Sequence, residues 1–186
     1  NISARLHDGW LITPTDACLG TLDPARVAKV ATDGTWVSGD KPSKTLALHR
    51  CVYDNNPNAH GVVHTHSTYA TAWAARGEEI PCVLTMMADE FGGPIPVGPF
   101  AVIGDDSIGR GIVETLEGSR SPAVLMQNHG PFTIGKDARA AVKAAVMCEE
   151  VARTVHVSRQ LGEPLPIEQS LVDSLFDRYQ NVYGQH

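Results

Sequence analysis

The amino-acid sequence predicts a single domain of mixed α and β structure, and three features indicate that fold class. Short strand patterns separated by turn signals fill most of residues 1–40. Two apolar runs later in the chain each lead into a histidine. An alanine-rich segment near the C-terminus has the length and the flanking residues of a long helix. With 186 residues, of which 42% are hydrophobic and 19% charged, the chain can bury one sizeable core.

The N-terminal part is predicted to be largely β because two turn signals divide it. His7-Asp8-Gly9 separates the first pair of strands, and Asp33-Gly34 is typical of a hairpin turn between the second pair. The predicted strands are Ile2–Leu6 and residues 10–13, 27–31 and 35–37.

The next segment places two histidines where a strand gives way to a helix. Its predicted elements are a helix at residues 44–55, a buried strand at residues 60–64 and a short helix at Thr68–Arg76. Pro57 and Gly77 follow the two helices and are typical helix terminators. His64 and His66 therefore lie at the junction between the strand and the second helix.

The second half of the chain places a third histidine at a strand end. Residues 78–104 are rich in Pro and Gly and are predicted to form strands and loops. The elements predicted after them are a helix at residues 106–117, strands at 123–127 and 132–134, and helices at Ala138–Leu161 and 167–179. Asn128-His129-Gly130 follows the first of these strands, Asp137 can cap the long helix, and Gly162 can end it.

Charge and cysteine content exclude several classes of function. The net charge of −6 and the isoelectric point near 5.7, with scattered Lys and Arg, argue against a nucleic-acid or membrane-surface partner. The four cysteines are far apart, which argues against a thiolate zinc cluster or a disulfide framework and fits a cytoplasmic protein. No run approaches 18 apolar residues, so we expect no membrane span. The chain begins at Asn1 without a methionine, so an earlier targeting segment would not be visible.

The spacing of His64 and His66 allows them to share a metal ion. In an extended chain, residues two apart point to the same side, with Cα atoms about 6.6 Å apart. The competing interpretation is that each histidine is a hydrogen-bonded, inert residue at a strand end. The two residues alone leave both interpretations open.

Four motifs in one order carry a resemblance to a known family. They are GVVHTHSTYATAWA, MMADEFGG, VLMQNHGPFTIGKDARAAVKAAVMCEEVA and the terminal VYGQ. Together they resemble the class II aldolase/adducin family, most of all its L-ribulose-5-phosphate 4-epimerase branch, over nearly the whole chain. The resemblance implies a three-layer α/β/α domain over residues 1–186 with a mainly antiparallel central sheet. It also implies a homotetramer with active sites between subunits, and an N-terminal segment that precedes Asn1 and is missing here.

The resemblance assigns a zinc site to three histidines. His64, His66 and His129 match the family's three ligands, which would leave an open coordination position as catalytic zinc requires. The remaining histidines are interpreted as structural; they are His7, His49, His60, His156 and His186.

The catalytic roles implied by the resemblance fall on Asp89 and Tyr183. Cleaving the C3–C4 bond of a ketose phosphate leaves an enediolate, whose charge a divalent cation stabilises. An epimerase then turns the aldehyde fragment and re-forms the bond, which needs a proton acceptor and a proton donor at the C4 oxygen. Two plain alternatives remain: Asp89 and Glu90 could be a solvated loop pair, and Tyr183 could simply pack in the tail or an interface.

We expect neutral hydrogen-bond donors and one positively charged side chain to bind the substrate phosphate. The family's phosphate pocket maps onto Asn1, Thr13, Thr15, Ser43 and Lys44, and Thr85 matches a polar position near the family's aspartate. Two residues depart from the epimerase pattern, because Asp16 replaces a glycine and Lys44 replaces a serine.

The favoured function is a metal-dependent sugar-phosphate 4-epimerase acting on a ketose phosphate such as L-ribulose 5-phosphate. The alternatives are an L-fuculose-phosphate-type aldolase, a related sugar-acid phosphate decarboxylase and a non-catalytic adducin-like module. Thr45 favours the epimerase over the aldolase, because both branches usually have a carboxylate there. An aldolase must protonate the enediolate carbon, which a threonine hydroxyl cannot do, whereas an epimerase never protonates it. KPSK and TPTDACLGTLDP also resemble the family's four-carbon sugar-acid phosphate decarboxylases.

Overall fold

The computed structural model describes residues 1–102 and 106–183 and is built around one eight-stranded sheet. The strands are β1 (Ile2–Leu6), β2 (Gly9–Ile12), β3 (Ala28–Ala31), β4 (Trp36–Ser38), β5 (Gly61–His64), β6 (Val97–Gly98), β7 (Ala123–Met126) and β8 (Gly130–Gly135). Their order across the sheet is β4-β3-β2-β1-β5-β8-β7-β6. All neighbouring pairs are antiparallel except β6 and β7, which are parallel. The expected mainly antiparallel sheet is therefore confirmed, with one parallel pair at its edge.

In the described part of the chain, six α-helices surround the sheet. They are α1 (Leu46–Asn55), α2 (Thr68–Arg76), α3 (Thr85–Phe91), α4 (Ser107–Leu116), α5 (Ala138–Leu161) and α6 (Gln169–Arg178), which continues into the π-helical turn Tyr179–Tyr183. Helices α2 and α5 have the predicted bounds because their capping residues act as expected. Gly77 ends α2 in the left-handed conformation, with φ of 64°. The Asp137 side chain accepts a hydrogen bond from the Ala140 N–H at 2.7 Å and so caps α5.

Helix α3 corrects the prediction for residues 78–104, which was strands and loops. The segment does contain strand β6 and loops, but the prediction was wrong for Thr85–Phe91, because a helix of seven residues is too short to show a helical period between Pro- and Gly-rich flanks. Its sequence, TMMADEF, is rich in helix formers and ends at Gly92, which has φ of 64°. Asp89 and Glu90 therefore lie on a helix rather than in a loop. Ile103 and Gly104 of this segment, the terminal residues 184–186 and hence His186 lie outside the described residues.

Strand β7 shows how helices cover both faces of the sheet. Ala123 and Leu125 pack into an apolar cluster with residues of α2, α3 and α5. Val124 and Met126 pack into a second cluster with residues of α1 and α4. Because successive strand side chains point to opposite faces, the two helical groups lie on opposite sides of the sheet. Among residues 1–102 and 106–183, no helix combines the length and the apolar character that a membrane span needs.

The strand register brings five strand termini to one edge of the sheet. The pairs that establish this are Ile2 with Val63, Ser3 with Ile12, His64 with Phe132, and Met126 with Gly130. The starts of β1 and β8 therefore lie beside the ends of β2, β5 and β7. We call this border of the sheet, with the residues Asn1, Thr13, His64, His66 and His129 that adjoin it, the site edge.

Candidate functional site

Three histidines meet at the site edge. The candidate ligand nitrogens of His64, His66 and His129 all lie within 4.8 Å of one another, and the Nε2 atoms of His64 and His66 are 3.0 Å apart. The three rings stand nearly perpendicular to one another, with interplanar angles of 73° to 75°. His64 is buried, whereas His66 is exposed, so the cluster opens to solvent on one side.

The hydrogen bonding of His64 directs its lone pair into the cluster. Its Nδ1 lies 2.9 Å from the carbonyl oxygen of Pro131. A carbonyl oxygen can only accept, so Nδ1 carries the hydrogen and Nε2 presents a lone pair towards His66. The ring is also stacked on Phe132, with centroids 4.0 Å apart. His64 therefore has a fixed tautomer and a fixed orientation.

This donor set fits a divalent transition metal. In a tetrahedral zinc site with Zn–N bonds near 2.1 Å, ligand nitrogens lie about 3.3 Å apart, close to the His64–His66 separation. Burial lowers the pKa of His64 to about 3, and burial and then the charge of His66 lower the pKa of His129. Both rings are therefore neutral at neutral pH, which is the state in which imidazole binds a metal. Three imidazoles would leave a coordination position open for a substrate.

The turn that carries His129 can adopt its shape only with particular residues. Asn128 has φ of 57°, in the left-handed region that asparagine tolerates. Gly130 has φ of 150°, and a Cβ there would lie 2.8 Å from the carbonyl oxygen of Thr65. The glycine lets the His129 turn pack closely against the His66 loop, so the Asn-His-Gly sequence has a structural reason.

Two loops lie beside each other next to the histidines. The Thr15 N–H donates to the carbonyl oxygen of Lys41 at 3.0 Å, and the Ser43 N–H donates to that of Thr13 at 3.3 Å. The Thr13 N–H in turn donates to the Ile2 carbonyl oxygen, while the His64 N–H donates to that of Asn1, each at 2.9 Å. Asn1 and Thr13 are thus part of the site edge, and Ser43 is joined to it by a backbone hydrogen bond. Thr15 bonds to Lys41 of the neighbouring loop, and Lys44 follows Ser43 directly.

The side chains of these residues differ in whether they already make hydrogen bonds or ion pairs within the chain. Thr13 Oγ1 accepts from the Ile2 N–H at 3.1 Å, and Ser43 Oγ lies 2.8 Å from Thr45 Oγ1. Lys44 is exposed and has no ion-pair partner among the described residues. Asp16, which replaces the expected glycine, has φ of 56°, and aspartate is one of the few residues that tolerate this conformation.

Sequence reasoning missed the part that His49 plays. His49 is fully buried, and its Nε2 lies 2.6 Å from the side-chain oxygen of Asn1. That oxygen can only accept, so Nε2 carries the hydrogen and Nδ1 accepts from the Ser3 hydroxyl at 2.6 Å. His49 is structural, as predicted, but it also orients the Asn1 side chain. Its helical spacing with Val52 and Tyr53 in the sequence signals only that it is buried.

Asp89 and Tyr183 lie beside each other, apart from the histidines. Partial burial raises the pKa of the Tyr183 phenol, and a hydrogen bond and the charge of the Asp89 carboxylate raise it further. The second oxygen of Asp89 is buried without a hydrogen-bond partner in the described part of the chain. Glu90 points elsewhere and pairs with Lys143 at 2.7 Å, so the two adjacent acids are not a solvated pair.

Residues 1–156 match the family described as "Class II Aldolase and Adducin N-terminal domain". The chain belongs to the class II aldolase and adducin family. The resemblance drawn from the four motifs is therefore confirmed.

Curated relatives of this class II aldolase-family chain have different activities. It is 49% identical to the 3-oxo-tetronate 4-phosphate decarboxylase of Cupriavidus necator over 157 residues, or 82% of this chain and 71% of the relative. It is 39% identical to the L-ribulose-5-phosphate 4-epimerase UlaF of Salmonella paratyphi B, over 100% of this chain and 88% of the relative.

Solved structures of the family share this fold. The crystal structure of YgbL from Escherichia coli matches with a TM-score of 0.80 and 34% identity, over 94% of this chain and 85% of that one. An L-fuculose 1-phosphate aldolase matches with a TM-score of 0.86 over 96% of this chain and 84% of that one. At 22% identity, the aldolase shows the fold alone.

The structure of this family member brings together some predicted site residues and not others. The three histidines and the loops of Asn1, Thr13, Thr15, Ser43 and Lys44 share the site edge. Among the described residues, no hydrogen bond or ring contact joins Asp89 or Tyr183 to the histidines. Thr85 is the first residue of α3, is exposed and, within the described ranges, likewise makes no hydrogen bond to the histidine cluster.

Proposed function

We propose that this class II aldolase-family enzyme decarboxylates a phosphorylated 3-oxo sugar acid, such as 3-oxo-tetronate 4-phosphate. The observation that carries the proposal is the Lys44-Thr45 pair beside the site edge. The 49% identity to a decarboxylase supports the same substrate class.

The Lys44-Thr45 pair suits a substrate that carries a carboxylate. Relative to the usual pattern of the family's epimerases, Thr45 stands in place of an acid and Lys44 adds a positive charge. Aldolases and epimerases of the family usually have a carboxylate at the position of Thr45. Such a group would repel a substrate carboxylate, whereas the Thr45 hydroxyl, hydrogen-bonded to Ser43, is neutral. Lys44 supplies a positive charge for a substrate that carries both a carboxylate and a phosphate. Asn1, Thr13, Thr15 and Ser43 are proposed to supply hydrogen bonds to the phosphate.

The proposed reaction breaks the bond between C1 and C2 of the 3-oxo acid. The bonding electrons move towards the C3 carbonyl, carbon dioxide leaves, and protonation of C2 gives dihydroxyacetone phosphate. A divalent metal, proposed to be zinc, held by His64, His66 and His129 would stabilise the negative charge that develops on the substrate oxygens. Tyr183 is the proposed proton donor, because its phenol is protonated at neutral pH. Partial burial and Asp89 raise the pKa of the phenol within one chain, so a nearby cation such as the proposed metal would have to lower that pKa for the proton transfer.

An epimerase is the second candidate, and one observation favours it specifically. The match to the L-ribulose-5-phosphate 4-epimerase covers 100% of the chain, whereas the match to the decarboxylase covers 82%. The epimerase mechanism also uses both members of the Asp89–Tyr183 pair, as acceptor and donor at the C4 oxygen. The histidine cluster argues against a non-catalytic adducin-like module, because a scaffold needs no open metal site.

We also propose that the active enzyme is a homotetramer with sites between subunits. The histidines and the Asp89–Tyr183 pair make no direct contact within one chain, in the part that the structure describes. A second copy could bring its own pair to the histidines. Under this proposal, one chain supplies the metal-binding half of each site and a neighbour supplies the acid–base half.

A substrate panel tests the proposed reaction. Metal-loaded protein is incubated separately with 3-oxo-tetronate 4-phosphate, L-ribulose 5-phosphate and L-fuculose 1-phosphate. Release of carbon dioxide with dihydroxyacetone phosphate from the first is the expected result. Formation of D-xylulose 5-phosphate from the second, without decarboxylation of the first, would replace the decarboxylase with the epimerase. Cleavage of the third alone would instead identify an aldolase.

A further inference from the structure

Helix α2 begins without a cap from its own sequence. Ser67 occupies the N-cap position, but its side chain makes no capping hydrogen bond. The Glu149 carboxylate of α5 takes that place, 80 residues away in the chain. It accepts from the Tyr69 N–H at 2.9 and 3.1 Å and from the Ala70 N–H at 2.9 Å. A carboxylate at a helix N-terminus makes strong, charge-assisted hydrogen bonds to otherwise unpaired N–H groups.

Helix α2 is connected to two of the three histidines. His66 precedes its first turn, with only Ser67 between them. At the other end of α2, the carbonyl oxygen of Ala74 accepts from the Asn128 N–H at 3.0 Å, directly before His129. The position of α2 therefore affects both the His66 loop and the His129 turn.

We infer that Glu149 is a positioning residue for the metal site formed by His64, His66 and His129. Its carboxylate fixes the first turn of α2 against α5 and thereby sets where His66 presents its ring nitrogen. The inference rests on the proposed metal site. Within the described residues, Glu149 makes no hydrogen bond to the three histidines, so it acts through the backbone of α2 rather than as a ligand.

A second contact between the same helices allows positioning to be separated from general stability. The indole N–H of Trp73 donates to the Ala152 carbonyl oxygen at 3.1 Å, in a buried environment. This bond lies one turn further along α2 and does not touch its first turn. Losing this one side-chain bond should lower the stability of the chain while the Glu149 contacts at the first turn and the Ala74–Asn128 backbone bond stay in place. Trp73→Phe is therefore a control for stability alone.

The experiment measures metal binding rather than activity. Metal-free wild type and variants are titrated with Co²⁺, whose visible absorption reports the geometry of its imidazole ligands, and with Zn²⁺. Glu149→Ala is expected to bind about tenfold more weakly and to change the Co²⁺ spectrum, as loss of outer-shell support typically does. Glu149→Gln keeps an accepting oxygen and should lie between the two. Glu150→Ala, which alters the exposed neighbouring residue, should match wild type.

Each outcome bears on the inference separately from the proposed function. Trp73→Phe should melt at a lower temperature in the metal-free state but keep wild-type affinity and spectrum. If Glu149→Ala behaves like Trp73→Phe, Glu149 is only structural and the inference is overturned, while loss of metal in His66→Ala still supports the metal site. If wild type and His66→Ala bind equally little metal, the proposed site and the inference both fail. Glu149→Gln decides the question if Glu149→Ala does not fold.

Discussion

The histidine cluster and the Asp89–Tyr183 pair differ in what holds them in place. His64 ends a strand at the centre of the sheet, and its ring is fixed by the Pro131 carbonyl and by stacking on Phe132. Tyr183 lies on the last described turn of the chain and is half exposed. The exposed Lys143 of α5 contacts both the tail turn and α3, because it donates to Glu90 at 2.7 Å and to Tyr179 at 2.6 Å.

The difference teaches that, in the proposed site, the histidine half is preorganised within a single chain more firmly than the acid–base half. The buried His64 keeps its geometry because the pairing of β5 with β8 must break before it moves, and the other two histidines lie on the loop and the turn that pack beside it. Lys143 joins α5 to the tail turn by one hydrogen bond to Tyr179 and to α3 by one ion pair with Glu90, and contacts of this kind contribute about 1 kcal/mol each. In the proposed shared site, a neighbouring chain would bring its acid–base pair to the histidines.

The largest effect is expected from breaking the histidine half. His66→Ala should lose the bound metal and lower activity by about a thousandfold or more, because charge developing on the substrate would no longer be stabilised. Metal analysis of the purified proteins and a rate assay on the preferred substrate measure both effects. His60→Ala changes an exposed histidine away from the cluster and should retain metal and activity. Equal metal content in the His66 and His60 variants would remove His66 from the site.

The second-largest effect is expected from changing Tyr183, and it allows a test of whether the two halves of the site come from different chains. Tyr183→Phe alone should lower kcat by about 10²- to 10⁴-fold, the usual contribution of a positioned acid or base. Mixing it with His66→Ala under subunit exchange should restore activity, since some hybrid sites combine an intact histidine cluster with an intact Tyr183. Proven exchange without any recovery would contradict the shared site.

The same mixing experiment can show whether Asp89 and Tyr183 of one site come from the same chain. Asp89→Asn mixed with Tyr183→Phe should give no recovery if both residues enter a site from one chain, because every pair then carries one defect. Recovery in this mixture would show instead that Asp89 belongs to the chain that supplies the histidines. The comparison uses the His66→Ala mixture as its positive control.

The smallest effect is expected at the contact that holds the tail. Lys143→Met removes the donor to Glu90 and Tyr179 and should lower activity by less than about tenfold, because one half-exposed ion pair and one hydrogen bond contribute little. Salt screens such pairs, so wild-type activity should fall towards that of the variant as the salt concentration rises. Lys136→Met, at an exposed lysine near the start of α5, is the matched control. A salt response that persists undiminished in Lys143→Met would show that another contact holds the tail.

Local signals in the sequence explain which elements could be predicted. Gly77 and Asp137 are specific end signals, so α2 and α5 were predicted with the bounds that the structure has. Helix α3 offers no such start signal, because Leu84 at its N-cap position makes no side-chain cap. The MMADEFGG motif was enough to select Asp89 as a candidate site residue. Its position on a helix could not be predicted without such a signal, and its contact with Tyr183 depends on the tertiary structure.

The sequence by itself determined the family, the mixed α and β content and the identity of the three candidate ligands, because motifs, periodicity and capping residues act over short stretches. Only the tertiary structure decided which distant residues meet. Pairing of β5 with β8 brings the Pro131 carbonyl to His64 across 67 residues, and packing of α5 brings Glu149 to α2 across 80. Such contacts form only when the chain buries a shared core and closes long loops. The free energies of core burial and loop closure depend on the whole chain, so no single segment of the sequence determines them.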